Sequence, residues 1–181
     1  ACRFAEAKDS RVPGAGKALF NFVKPLFSSG KESQTRLIQA ACCLHDVSWR
    51  AHPDYRHEAC FDYITRANLG GLKHSERVFL GLALLFRYKN SYSRTSFDPL
   101  LRLLSSQQIK DAEILGKAMR LGANLWVTSA HSEAYLKYAK KKNKLSLKLG
   151  ELEKKRLGEV SLIRLDSLAE TLKAEVKISD I

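Results

Sequence analysis

The sequence predicts a mainly α protein, with a helical body over residues 1–129 followed by a small α/β unit of hairpin, helix and strand over residues 130–181. Three observations carry that prediction. In successive segments as far as Trp126, apolar residues recur at spacings of three and four, the period of one helical face. Beyond Thr128 the period falls to two, with Leu145, Leu147 and Leu149 alternating against Ser146 and Lys148. The composition, 45% hydrophobic and 28% charged, is that of a globular protein, and no run approaches the ~20 apolar residues that span a bilayer.

Ala1 to Lys8 reads as the end of a helix, closed by Asp9, Ser10 and the turn formers Pro13, Gly14 and Gly16. The string Gly14 to Ala18 is not a P-loop, which would need Gly at Arg11 and Ser or Thr at Ala18. A second helix carries Leu19, Phe20, Val23 and Phe27, and Pro25 kinks or ends it. Ser29 to Glu32 is a capping box that starts a third helix, with Leu37, Ile38, Ala41, Leu44 and Val47 on its inner face and His45–Asp46 in its last turn. Trp49 to Tyr55 is a loop. A helix resumes near Asp54 with Ala59, Cys60, Tyr63, Ile64 and Ala67 on one face and stops at Gly70–Gly71.

The next helix turns Val78, Phe79, Leu82, Leu85 and Phe86 inward and presents Arg87, Tyr88 and Lys89 at its exit. Asp98–Pro99 opens a short Leu-rich helix through Leu104. Ile109, Ala112, Gly116, Met119, Ala123 and Trp126 mark the clearest helix, and its small residues imply a close crossing with a neighbour. Glu133–Lys140 and Lys144–Leu149 form the hairpin, Lys141–Lys142–Asn143 its turn. A helix over Glu159–Lys173, with Val160, Ile163, Leu168 and Leu172 facing in, leads to a last strand at Glu175–Ile178.

A chain of 181 residues can bury roughly 70% of its unfolded surface without staples. Cys2, Cys42, Cys43 and Cys60 form no C-x-x-C pair and read as reduced, structural thiols. The N-terminus lacks the layout of a signal peptide, so the expected location is the cytoplasm, away from membranes. The single Met is Met119, which suggests a piece of a longer protein or one trimmed at its front. With 31 Lys+Arg against 19 Asp+Glu, the formal charge of +12 attracts polyanions without saying which.

His45 and Asp46 resemble the pair that binds metal in HD phosphohydrolases. Such a site needs four ligands, including an upstream His and a distal Asp. His45 is the first histidine in the chain, and Gly122–Ala123–Asn124 stands where the distal Asp is usually found. The expectation is therefore a degenerate pair with no metal, since two ligands hold a divalent ion poorly. A zinc site from His52, His57 and Cys60 lacks a recognisable ligand spacing. His57 suits either a hydrogen bond across the loop or anion binding. Lys137, Lys140, Lys141, Lys142, Lys144 and Lys148 read as a solvated strand edge or as a polyanion contact. Arg50, Arg56, Arg87 and Lys89 gain importance if the fold gathers them.

Leu44 to Trp49, His52, His57, Leu69–Gly70–Gly71, Phe86–Arg87–Tyr88 and Met119 to Ala123, in that order and spacing, resemble the C-terminal region of Ppx/GppA family exopolyphosphatases. The sequence departs from the usual family pattern at Glu58 and at Lys89, which keeps the positive charge. The resemblance implies an HD-like helical bundle that has lost its metal, followed by a small α/β domain. It also implies a homodimer, a basic channel for polyphosphate, and separate actin-like ASKHA lobes that hold Mg²⁺ and remove terminal phosphate from polyphosphate or guanosine pentaphosphate. On that basis the expected polyphosphate-binding residues are Arg50, Arg56, His57, Arg87, Lys89, Lys140, Lys141 and Lys142, with no catalytic residue or cofactor in this segment. The alternatives are an active HD phosphohydrolase and a basic nucleic-acid-binding module.

Overall fold

A computed structural model describes residues 1–27, 32–91, 97–125 and 133–181. It is mainly helical with one small sheet. The body contains α1 (Cys2–Asp9), α2 (Ala15–Val23), a 3₁₀ turn (Lys24–Phe27), α3 (Glu32–Cys43), α4 (Arg56–Arg66), α5 (His74–Tyr88), a short α6 (Asp98–Leu101) and α7 (Ser106–Leu125). The C-terminal part follows as β1 (Ala134–Ala139), β2 (Lys144–Leu149), α8 (Glu151–Lys155), α9 (Glu159–Leu172) and β3 (Glu175–Asp180).

Helix α5 is buried on every side from Val78 to Arg87. Its nearly unbroken apolar run has no polar stripe to offer solvent, so it lies inside, packed between α4 and α7. The close crossing expected at Gly116 is present. A Cβ there would collide with the Ala83 carbonyl oxygen and the Phe86 Cβ, so α7 meets α5 almost backbone to backbone. On the other side of α7, Lys117 Nζ donates to Thr171 Oγ1 at 2.8 Å and pairs with Glu113 Oε1 at 2.7 Å, tying α9 to the body.

The sheet has order β1-β2-β3. β1 and β2 are antiparallel with Leu136 opposite Leu147, and β2 and β3 are parallel with Leu147 opposite Ile178. Period two puts Ala134, Leu136, Leu145, Leu147 and Leu149 on one buried face, and these join the helical residues in one contiguous core. The hairpin closes without Gly because Asn143 takes the left-handed conformation (φ 44°), which a short amide side chain tolerates.

Several expectations are corrected. Helix α3 ends at Cys43, so His45 and Asp46 occupy the turns after it rather than its last turn. Helix α4 ends at Arg66, before the Gly pair, and buries His57, Cys60, Phe61 and Ile64. Ala59 and Tyr63 face solvent, because Phe61 stacks on Phe97 at 4.2 Å and takes the inward position. Helix α9 buries Ser161, Leu165, Leu168 and Leu172, leaving Val160 and Ile163 exposed. The stripe begins at a serine that an apolar count skips. Helix α8 has no counterpart among the predicted elements. The capping box at Ser29 to Glu32, except Glu32 itself, lies outside the described residues, as do Trp126, Thr128 and the expected start of the second unit at Ala130.

Candidate functional site

The turns after α3 bury His45 and Asp46, each 3% exposed. His45 Nδ1 donates to the Cys42 carbonyl oxygen at 2.8 Å, which leaves Nε2 facing Asp46 Oδ2 at 3.5 Å. Burial holds the imidazole below its ordinary value and outweighs the pull of Asp46, so at neutral pH Nε2 carries no proton to donate. The neighbouring residues are therefore not an ion pair. The partners of Asp46 are arginines: Arg11 grips it through Nε to Oδ2 at 3.0 Å and Nη2 to Oδ1 at 2.8 Å, and its backbone N–H adds a third bond at 3.2 Å. Arg87 Nη2 reaches Oδ1 at 3.4 Å. Burial pushes the Asp46 carboxyl up, but the hydrogen bonds from Arg11 and the charges of Arg87 and Arg11 hold it below its ordinary range.

Beside this pair lies a cavity of about 340 Å³ lined by five guanidinium groups, those of Arg11, Arg56, Arg87, Arg120 and Arg164. Asp46 is the only carboxylate among its lining residues. Each cation arrives on a different element: Arg11 from the α1–α2 turn, Arg56 from the start of α4, Arg87 from the end of α5, Arg120 from late in α7 and Arg164 from α9. Arg87 is 6% exposed, and its Nε is buried with no hydrogen-bond partner. Burial lowers the pKa of Arg87 and Arg120, and it brings Arg164 down to about 10 with help from the charges of Arg120 and Arg87. Arg164 Nη1 donates to the Arg120 backbone carbonyl at 3.2 Å. Among the described residues neither Arg120 nor Arg164 has a carboxylate partner.

Aromatic side chains hold the rim in place. The Arg87 and Arg56 guanidiniums lie 5.0 and 5.5 Å from the Tyr88 ring centroid, and the Tyr88 hydroxyl donates to the His45 carbonyl at 3.1 Å. Arg50 sits 4.7 Å above Trp49, whose indole N–H donates to the Asp9 carbonyl at 2.8 Å. Arg56 Nε is engaged with the Ala51 carbonyl at 3.0 Å. Lys89 Nζ lies 3.1 Å from His57 Nε2, and as an ammonium it can only donate. That requires a neutral ring, in accord with burial and the Lys89 charge lowering the pKa of His57. Cys60, on the same α4 face, is a buried thiol pushed up to about 12, which suits an inert core residue.

Arg56 and Arg87 thus share the cavity, with Arg50, His57 and Lys89 on the segments that flank it. Lys140, Lys141 and Lys142 lie elsewhere. They form an exposed 3₁₀ turn at the hairpin tip, and Lys140 faces Gln107, Lys110 and Asp111 early in α7. From these residues to Arg120 is ~14–20 Å along α7 at 1.5 Å per helical residue. His52 is exposed, and its Nδ1 accepts from the Asp54 backbone N–H at 3.4 Å.

Three functional candidates escaped sequence reasoning. Arg11 figured only as a residue that spoils a P-loop. Arg120 lies inside Met119 to Ala123, a motif defined by its spacing and not by its charge, and Arg164 lies on a helix defined by its apolar face. No local signal marks any of them, since their common feature is the cavity.

The HD resemblance implies a metal beside Asp46, and the donor set does not fit one. Both carboxylate oxygens are taken by guanidiniums, and the surrounding cations would repel a divalent ion. Asn124, at the position of the missing distal Asp, donates through Nδ2 to Ser161 Oγ at 2.7 Å. Among the described residues no group of three His, Cys, Asp or Glu side chains could hold a metal ion.

Fold and site together define a class: a mainly helical protein with a small three-stranded sheet and an arginine-lined cavity beside a His-Asp pair. The family model for the exopolyphosphatase C-terminal region matches residues 10–178, and the chain belongs to that family. No curated protein matches the chain. No helix among the described residues is long and apolar enough to cross a membrane.

Proposed function

We propose that this chain is the polyphosphate-holding and dimerisation region of an exopolyphosphatase-type hydrolase, with the hydrolytic centre and its Mg²⁺ in ASKHA lobes outside these 181 residues. The observation that carries the proposal is the gathering of five arginines and a single carboxylate along one cavity, flanked by Arg50, His57 and Lys89. Polyphosphate carries charge on every unit and offers no bases to read. A ligand of that kind is held by many cationic contacts, each weakened by salt, and a set of modest contacts lets the polymer advance as its end is consumed. Lys140, Lys141 and Lys142 then serve as a second contact that only a long chain reaches.

The dimerisation part of the proposal draws on Leu152, Val160 and Ile163, large apolar side chains left more than half exposed on α8 and α9.

Titrating the chain with long polyphosphate at several salt concentrations tests the proposal. The expected outcome is affinity that falls steeply and linearly on logarithmic axes, with no phosphate released with or without Mg²⁺. Metal-dependent phosphate release by the chain alone would contradict it. So would clear preference for RNA over polyphosphate at matched charge and salt. Sedimentation at rising concentration tests dimerisation, which a persistent monomer would contradict.

A further inference from the structure

The arginines beside Asp46 do not have equal roles. Arg11 and Arg87 hold the carboxylate, and Arg56 is engaged with the Ala51 carbonyl and the Tyr88 ring. That leaves Arg120 and Arg164 facing the cavity as cations without a carboxylate, together with the unpartnered Nε of buried Arg87. Like charges crowded into a partly dry site repel one another more strongly than in water. Each lost N–H partner adds a desolvation penalty. Simple core packing does not call for such an arrangement. The Asn124–Ser161 hydrogen bond and the Lys117–Thr171 bond fix α7 against α9, so Arg120 and Arg164 are brought together by two rigid helices rather than by a loop.

The cavity also has room for an occupant. Its 340 Å³ is many times the roughly 10–15 Å³ that admits one water, enough for a tetrahedral anion with part of its hydration shell. Guanidinium groups suit such an anion because their planar forks match pairs of oxygens on a phosphoryl group.

We propose that this cavity is a discrete binding site for a single phosphate group, contacted by Arg87, Arg120 and Arg164. The site is distinct from an extended track of surface cations and stands even if the chain binds no polymer. Its ligand is either free orthophosphate or the terminal phosphoryl unit of a polyphosphate. The two sources share the chemistry that the arginines recognise.

Calorimetric titration at constant ionic strength tests the site, with orthophosphate, tripolyphosphate and long polyphosphate as probes and chloride as the control. Arg164→Gln and Arg120→Gln are the informative variants, because Arg87 also supports Asp46 and its loss endangers folding. Circular dichroism and melting curves establish that each variant is folded, and Lys177→Gln, on the outer sheet, is the reference. The expected result is saturable one-to-one binding of orthophosphate. Each arginine variant should weaken it at least about tenfold, the loss expected for a charge-assisted hydrogen bond, while Lys177→Gln leaves it unchanged. Saturation by tripolyphosphate alone, with the same sensitivity to both variants, supports the site with a polymer end as its ligand. Absence of saturable binding by either probe, or binding that both folded arginine variants retain, overturns the site. If long polyphosphate still binds in that case, the polymer-holding proposal survives and only the single-phosphate site falls.

Discussion

The protein carries two concentrations of positive charge, and they are built differently. At the hairpin tip, Lys140 to Lys142 stand in solvent on an exposed turn. Beside the His-Asp pair, arginines from five separate elements converge on a cavity with one carboxylate, and burial lowers the pKa of three of them. The exposed lysines are strongly hydrated and screened within a Debye length of ~8 Å at physiological salt. The converging arginines are partly desolvated, which strengthens their field and fixes their geometry. The difference teaches that a count of basic residues along a chain does not rank them as ligands. What ranks them is how much water the fold has already removed and how firmly the side chains are held.

The comparison is broken most severely at its one negative member. Replacing Asp46 by Ala leaves Arg11 and Arg87 without their carboxylate. Loss of one partner from a buried pair costs about 3–5 kcal/mol, so the melting temperature should fall steeply in a thermal scan. An unchanged melting temperature would mean that the arginines have another way to be satisfied. Next is Gly116, where α7 crosses α5 and sets the distance between Arg120 and Arg87. Gly116→Ala should destabilise the chain by about 1–3 kcal/mol, because backbone rather than a flexible side chain blocks the new methyl group. Chemical denaturation measures the loss directly.

A smaller effect comes from the neutral imidazoles. His45 and His57 both lie below their ordinary value of 6.5, so the unfolded chain takes up protons before the folded one as pH falls. Their contribution to stability is complete above that ordinary value and is lost as pH drops through the lowered folded values. Stability measured from pH 7.5 to 5 should therefore decline, and His45→Gln should make the decline shallower. A decline of the same slope in that variant would assign the effect to other groups.

Much of this architecture is legible in the sequence, and the limits of that legibility are instructive. The strands and the hairpin could be read because period two is unambiguous where Leu145, Leu147 and Leu149 alternate with polar residues. Helix α7 could be read because small residues at Ala112, Gly116 and Ala123 mark a close crossing. The inner faces of α4 and α9 were misplaced by about one residue. Phe61 and Ser161 were decided by what they touch, Phe97 and Asn124, and not by their own hydropathy. Of the site, the His-Asp pair and Arg56, Arg87 and Lys89 could be named from sequence. The partners that change its meaning could not, since Arg11, Arg120 and Arg164 are remote in the chain and meet only when the elements pack.

The central claim is that the cations beside the His-Asp pair, ahead of those at the hairpin, hold an anionic polymer. Its most direct test is long-polyphosphate affinity at one physiological salt concentration for two folded variants, Arg56→Gln/Lys89→Gln and Lys140→Gln/Lys141→Gln/Lys142→Gln. The double variant is predicted to lose more affinity than the triple one, despite removing fewer charges. Equal or greater loss in the hairpin variant would contradict the claim.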